Sequence, residues 1–523
     1  MGPTDALTPF YRRRTETPRL KLLAYVALFA ASVAYGAAFA YGAPHYVVVF
    51  ALPVAIIIVL GIWALPSGDY APVGVIPWLF FGYFAALILW PIYLAIALPG
   101  LPWITPLRLT GVPLLLVMLI CASVSSDFRR QVGEVLKADP WIIRCLLGFV
   151  LLEGLSLMFS RTPGTSVNRF ITSQINWTGI FFAACYIFRK PGAASAWAKL
   201  LLSAGLLLCV LGVWESRAGA VLWANHIPSF LRIEDESVLK ALAGVQRAYG
   251  GFHRVQATAG TPLGFAEYLG LTMPFAMHFA LNSRSIAFRI ISGTYVPLAI
   301  YVIILTDSRL GIVASLVSAM LYLLLWSIRR WRMASSSILG PALVLAYPAI
   351  FLTGIAATFL VGRLRKSVWG GGAQQASTDS RKDQWAMAIP KILHQPMGHG
   401  QGRGGQTLGY VAADGSLTID SYYLTLLLEF GVLGFALYMA LFLRTSWTGG
   451  VNAFSAKTDN DLLLLMPLSV ALFDFVVVKA VLSQDHNHPL VFMMLGATLA
   501  LVYRSKIANA ETEKLAIRRA VTS

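Results

Sequence analysis

Ionisable side chains are scarce in this chain, and those set inside apolar stretches raise the first chemical question. The run TIDSYYLTLLLEFGVLGFALYMALF, Thr418 to Phe442, opens on Asp420 and Tyr422 and carries Glu429 within it. On a helix Glu429 lies roughly 13 Å below Asp420 at 1.5 Å per residue, a spacing that suits a polar cavity entering from one membrane surface. The alternative is a helix end dressed for the interface, because Tyr favours the headgroup level and Asp a helix N-terminus. Arg144, Glu153, Asp474 and Lys479 also stand within apolar segments. An ionised group in hydrocarbon is costly, so each either serves function or is paired inside the bundle. Asp474 and Lys479 share one segment and are expected to neutralise each other or their neighbours.

Arginines gather in two polar stretches. Residues 215–260 contain Arg217, Arg232, Lys240, Arg247 and Arg254; residues 362–419 contain Arg363, Arg365, Lys366, Arg381, Lys382, Lys391 and Arg403 against Asp379, Asp383 and Asp414. A guanidinium presents a planar fork matched to phosphate oxygens, so such a cluster is a candidate pyrophosphate clamp. A solvated surface or attraction to anionic headgroups would use the same residues. The run MGHGQGRGG, Met397 to Gly405, has the glycines that bring backbone amides close to an anion. It lacks the lysine and spacing of a nucleotide-binding loop, and a flexible turn is the other reading. Arg309, in LTDSRLG, falls at the junction of two apolar segments. Asp485, His486 and His488 in SQDHNH, with His394 and His399, are polar-loop residues for which no metal site is expected.

The elements that must position these residues are membrane helices. The 523 residues are 57% hydrophobic and 12% charged, with a mean hydropathy of +0.68, which excludes an ordinary soluble domain. About 20 apolar residues cross a bilayer. Fourteen such stretches are predicted, near 20–42, 45–65, 76–98, 109–125, 140–160, 171–188, 195–214, 262–282, 287–306, 309–328, 338–361, 420–443, 461–482 and 487–504. With the N-terminus in the cytoplasm, alternate connections on that side hold twenty-three Lys and Arg, whereas short loops opposite hold only Arg108, Arg161, Arg169 and Arg309. Cytoplasmic loops carry such an excess. Both termini are therefore expected inside, and 215–260 and 362–419 outside. The net charge of +17 follows mainly from this bias, so no nucleic-acid partner is expected. The first apolar run is too long for a cleavable signal and reads as an anchored helix. Cys121, Cys145, Cys185 and Cys209 read as buried small hydrophobes. No repeat is visible, so residues 1–523 are expected to form one all-α, polytopic membrane domain.

The stretch from Phe252 to Phe435 resembles the O-antigen ligase and polymerase family of bacterial envelope polysaccharide synthesis. The likeness is an ordered series: HRVQATAGTPLGFAEYL with Arg254 and Pro262; LTDSRLGIVASLVS with Ser308, Arg309 and Gly311; SRKDQWAMAIPKILHQPMGHGQG with Arg381, Trp385 and Pro396; and DSYYLTLLLEFGVLG with Tyr423, Glu429, Gly431 and Gly434. The resemblance implies a GT-C-like glycosyltransferase of the bacterial inner membrane. It would have about twelve helices, a large periplasmic region before a late helix, and glycan donors linked through a diphosphate to undecaprenol. It implies catalytic roles for Arg254, Arg381 and Asp420, and substrate contacts from Arg309, Tyr422, Arg403 and Glu429. No cofactor or metal is implied. Ligases that act on lipid A-core carry a His where this chain has Asp420 and Ser421, which favours a polymerase that extends a lipid-linked glycan over the ligase alternative. A flippase or secondary transporter, with Glu153, Asp474 and Lys479 as coupling sites, is the reading from a different class; it predicts two related halves, which the sequence does not display. A non-catalytic scaffold of an envelope machine leaves the clustered arginines without a role.

Overall fold

A computed structural model describes residues 71–97, 103–233, 252–333, 338–360, 375–412, 415–455 and 459–522, with isolated positions elsewhere. The chain divides after residue 60 into two compact units, and the elements below belong to the second. The spans expected at 20–42 and most of 45–65, together with Lys240, Arg247, Arg363, Lys366 and Asp414, lie outside the described residues.

The second unit is helical: α1 Val75–Leu89, α2 Pro106–Val124, α3 Ser126–Leu136, α4 Pro140–Ser156, α5 Pro163–Ser173, α6 Ile180–Ile187, α7 Ala193–Ala218, α8 Pro262–Asn282, α9 Ile286–Leu305, α10 Arg309–Met333, α11 Leu339–Leu360, α12 Gln375–His394, α13 Gly404–Leu408, α14 Tyr422–Ser455, α15 Leu465–Lys479 and α16 His488–Thr522. Nine of the described helices are long and apolar enough to cross a membrane, so the protein is a multi-pass helical membrane protein. All twelve predicted spans from 76 onward contain helix. The one sheet among the described residues is small, β1 Leu94–Ile96 antiparallel to β2 Leu231–Ile233.

Sequence decides which helices are central. The membrane-length window ending in α15 is 83% buried and that of α16 is 78%, whereas α11, apolar all round, is 6% buried and lies on the periphery. A helix buried on every face belongs inside a bundle. In α8 every residue from Gly264 to Ala276 is buried, and the helix packs on α9, α10 and α15. Small residues permit this closeness: a Cβ at Gly270 would lie 2.8 Å from Ala314 Cβ, and one at Gly311 would lie 2.9 Å from Ala266 Cβ. Where hydrocarbon surrounds the helices, such close backbone packing replaces the hydrophobic drive. α14 packs on α4, α15 and α16.

The polar groups in this core are paired in ways the spacing did not reveal. Lys479 Nζ stands 2.8 Å from Glu267 Oε1, and both side chains are essentially inaccessible. Asn487 Nδ2 donates to Glu267 Oε2 at 2.8 Å, and Lys479 also donates to the Gln484 carbonyl. The partner of Lys479 is thus an acid on a neighbouring helix, not Asp474. Glu153 accepts from Gln174 Nε2 at 2.9 Å and from Gln401 Nε2 at 3.3 Å. Arg144 lies over the Trp141 ring, 5.0 Å from its centroid.

Candidate active site

At one end of the bundle the N-termini of α2, α8, α14 and α16 approach the C-terminal end of α1, and between them opens a cavity of about 720 Å³. Helix N-termini carry partial positive charge and unpaired amides, so their convergence favours a negatively charged ligand. Arg108 and Arg169 on the wall add to that character, while Glu429 and Asp485 oppose it. Tyr93, Trp103, Trp177 and Tyr422 supply aromatic surface, and Asn168, Thr172 and Asn176 supply neutral hydrogen-bonding groups. Polar and apolar surface share the wall about equally, which suits a hydrophilic ligand with flat faces.

Arg169 and its neighbours come from α5 and the π-helical turn Gln174–Gly179 that joins it to α6. Asn168, Arg169, Thr172, Ser173 and Asn176 recur at helical spacing and so share one face, which is turned to the cavity. Arg169 Nη1 lies 3.7 Å from Asp485 Oδ2, and both side chains remain about half exposed. Arg108 is braced by donating Nη1 to the Trp103 carbonyl at 2.6 Å. Desolvation favours the neutral form of Asp485, but His486, His488, Arg169 and Lys479 outweigh it and hold the carboxyl below its ordinary range. Tyr422 stands over Lys479, 5.6 Å from Nζ to ring centroid, and packs on His488 at 4.6 Å, which stacks on Trp177 at 4.9 Å. His488 is therefore part of an aromatic floor. Among the described residues no three His, Cys, Asp or Glu side chains are grouped to hold one ion.

The glycine-rich run forms part of the cavity wall for a backbone reason. α14 breaks at Gly431, where φ is 72°, and a Cβ there would fall 2.0 Å from the Pro396 carbonyl oxygen. His399 N donates to the Leu428 carbonyl at 2.8 Å and Gly400 N to the Glu429 carbonyl at 3.2 Å, while Val432 N donates to Pro396 O at 3.1 Å. Gly398 has φ 87°, and a Cβ on it would meet Glu429 O at 2.3 Å. Residues 396–402 are thus a strap laid into the helix break, satisfying groups that the break leaves without intrahelical partners. Glu429 continues the arrangement by accepting from Gly404 N at 2.9 Å, at the start of α13. The amides of His399, Gly400 and Gly404 are engaged by α14.

The residues singled out from sequence fall into three groups. Tyr422 and Glu429 line the cavity, and Arg403 sits between the lining residues Gly402 and Gly405, 3.4 Å from Thr162 Oγ1. Asp420 lies at the rim, between the lining residues Ile419 and Tyr422, with Arg381 Nε 4.0 Å from its carboxylate and its own amide donating to Gln384. Burial pushes the Asp420 carboxyl above its ordinary range, against the opposing pull of Arg381 and Gln384. Arg254 belongs elsewhere: its guanidinium donates to the carbonyls of Thr306 at 2.9 Å and Asp307 at 3.4 Å, in the turn leading to Arg309. Arg254, Arg309 and Arg381 do not line this cavity. Its wall instead carries Arg108 and Arg169, which the sequence reading had placed only as short-loop cations.

Residues 294–439 match the family model described as O-antigen ligase. The match runs from within α9 to within α14 and takes in the strap, the break at Gly431, Arg309, Arg381, Arg403, Asp420, Tyr422 and Glu429. Three of the four sequence pieces that carried the resemblance lie within it, and the piece with Arg254 and Pro262 precedes it. No curated protein matches the chain.

Proposed function

We propose that the protein is a membrane glycosyltransferase of the O-antigen ligase and polymerase type, acting as a polymerase at the periplasmic face of the bacterial inner membrane. The donor is a glycan joined through diphosphate to undecaprenol, and the acceptor is a hydroxyl of a second lipid-linked glycan. The observation that carries this reading is the cavity at the converging helix N-termini, with Arg108 and Arg169 on its wall, beside a segment that matches the O-antigen ligase model.

The acceptor oxygen attacks the anomeric carbon of the donor sugar. The bond from that carbon to the phosphate oxygen breaks, and the lipid diphosphate leaves with the electron pair. Charge accumulates on phosphate oxygens, where Arg169 and Arg108, already fixed, stabilise it without reorganising. The acceptor proton passes to His486, which lines the cavity beside Asp485 and has a ring nitrogen able to take it. Trp103, Trp177 and Tyr422 offer flat surfaces to sugar rings. Arg381 and Asp420 at the rim meet the incoming glycan, and Arg254 and Arg309 shape the approach from the α9 to α10 turn.

The matched model is described as a ligase, and a ligase would use the same donor site with lipid A-core as acceptor. One experiment separates these readings from each other and from a transporter. Purified protein in detergent is given the undecaprenyl diphosphate oligosaccharide, alone or with lipid A-core, and products are sized by mass spectrometry. Longer lipid-linked glycans are expected from the donor alone. Products only with lipid A-core establish the ligase, and absence of transfer under both conditions overturns the enzyme reading.

A further inference from the structure

The bundle has a second cavity, of about 510 Å³, lined by Arg189, Lys190, Pro191, Leu462, Tyr503 and Ile507, among others. α16 begins beside the first cavity at His488, and Tyr503 lies fifteen residues along it. At 1.5 Å per residue that is roughly 23 Å, most of a hydrocarbon thickness, so the second cavity opens toward the opposite face.

Its charged groups divide into paired and unpaired, and the exposed Glu511 adds one acid to the wall. Arg504 is neutralised, with Nη2 2.6 Å from Asp459 and Nη1 2.7 Å from Asp461. Asp461 in turn accepts from Gly192 N at 2.6 Å and Ser195 N at 3.0 Å, which closes the start of α7. Among the described residues, neither Arg189 nor Lys190 has a carboxylate within ion-pair distance. Arg189 donates Nη2 to the neutral Gln131 at 2.5 Å and leaves its buried Nε without a partner. Both cations are held against one ring, that of Tyr186, at 6.0 and 5.9 Å. Pro191, Leu462, Ile507 and Ala508 give the wall an apolar stretch, and Ile507 is 41% exposed.

Two cations without an ion pair, beside an apolar stretch of wall at a membrane boundary, are complementary to an amphiphile with an anionic head. We propose that this cavity binds the phosphodiester headgroup of an anionic membrane lipid, with Arg189 and Lys190 meeting the phosphate and Pro191, Leu462 and Ile507 meeting the chains. The site is separate from the transfer cavity and does not depend on the reaction proposed for it.

The full chain in phosphatidylcholine nanodiscs is titrated with phosphatidylglycerol, and bound lipid is counted by native mass spectrometry. The combined variant Arg189→Ala, Lys190→Ala is expected to lose at least fivefold in phosphatidylglycerol occupancy, while Arg284→Ala, Arg289→Ala, which removes two exposed cations elsewhere, stays at the wild-type level. Lys190→Glu, a change at an exposed side chain, gives the same direction of loss should the double variant fail to fold. Equal occupancy in wild type and site variants, or equal loss in the control, overturns the proposal. So does displacement of the lipid by millimolar inorganic phosphate, which would make the site one for a free anion.

Discussion

At the scale of single residues, Arg169 and Lys479 are both cations near one cavity, yet they perform different work. Arg169 is half exposed, and its ion pair to Asp485 spans 3.7 Å, so its charge is open to a ligand. Replacing it by Ala should lower transfer about 10²- to 10³-fold, the range for loss of one preorganised donor to developing charge, with the unfolding temperature unchanged and partial recovery in Arg169→Lys; single-turnover kinetics on the lipid-linked donor check this. Removal of the His486 ring should lower transfer by about 10²-fold or more, the range for loss of a general base, whereas Asp420→Asn should retain most of the rate, because its carboxylate stands at the rim; the same single-turnover assay reads both. Lys479, by contrast, is sealed against Glu267 and the rings of Tyr422 and Phe475. Lys479→Met strands a buried carboxylate and should destabilise by about 3–5 kcal/mol, with much of the loss restored by the added change Glu267→Leu, since removing both charges together leaves neither unpaired. Thermal unfolding in detergent of the single and double variants measures the difference. The sequence revealed that Lys479 needed a partner but not which one, because Glu267 lies more than two hundred residues earlier and meets it only through the packing of α8 on α15.

At the scale of elements, the termini and interruptions of helices explain both cavities. Asp461 holds the start of α7 while paired to Arg504, and although burial favours its neutral form, Arg504 and the donors of Ser195 and Gly192 set its carboxyl below the ordinary aspartate range. The folded value is depressed, so this stabilisation is fully present above the unfolded value and disappears as pH falls through the lower folded one. Asp461→Asn should therefore lower stability by about 1–2 kcal/mol near neutral pH, the upper range for losing a cap, and the gap to wild type should close in strong acid; unfolding temperatures measured across pH test the sign. Gly431→Ala should cost about 1–3 kcal/mol for the strained backbone alone, with further loss from the contact with Pro396, and should reduce folded yield on size-exclusion chromatography. The long apolar helices from 76 onward are readable from apolar length, because the bilayer fixes the number of residues needed, whereas the polar helices α3 and α12 carry no such signal. The site was only partly readable. Tyr422, Glu429, Arg403 and Asp420 gather at or beside the cavity, since they flank the same break in α14. Arg169 is hidden from hydropathy because a short amphipathic helix leading into an apolar span resembles a loop on that scale; the polar stripe Asn168, Arg169, Thr172, Ser173 and Asn176 is the signal. The glycine run suggested anion binding, yet the broken helix consumes several of its amides, a demand visible only once Gly431 is seen at φ 72°.

At the scale of the whole molecule, the two cavities at opposite ends of the bundle make orientation a measurable property. The four described cysteines are buried, so thiols introduced at exposed Ser416, near the transfer cavity, and at exposed Lys137, near the other end, report separately. An impermeant maleimide applied to intact cells is expected to label Ser416→Cys and spare Lys137→Cys; the reverse pattern would place the transfer site in the cytoplasm. The strap across the α14 break also bears on biogenesis. The ribosome makes His399 and Gly400 before Leu428 and Glu429, the residues whose carbonyls receive their amides. The wall residues Ser483, Asp485, His486 and Pro489 follow later still. A nascent chain therefore lacks a complete pocket until the start of α16 is made, and a chain stopped before α16 is expected to insert yet give no transfer.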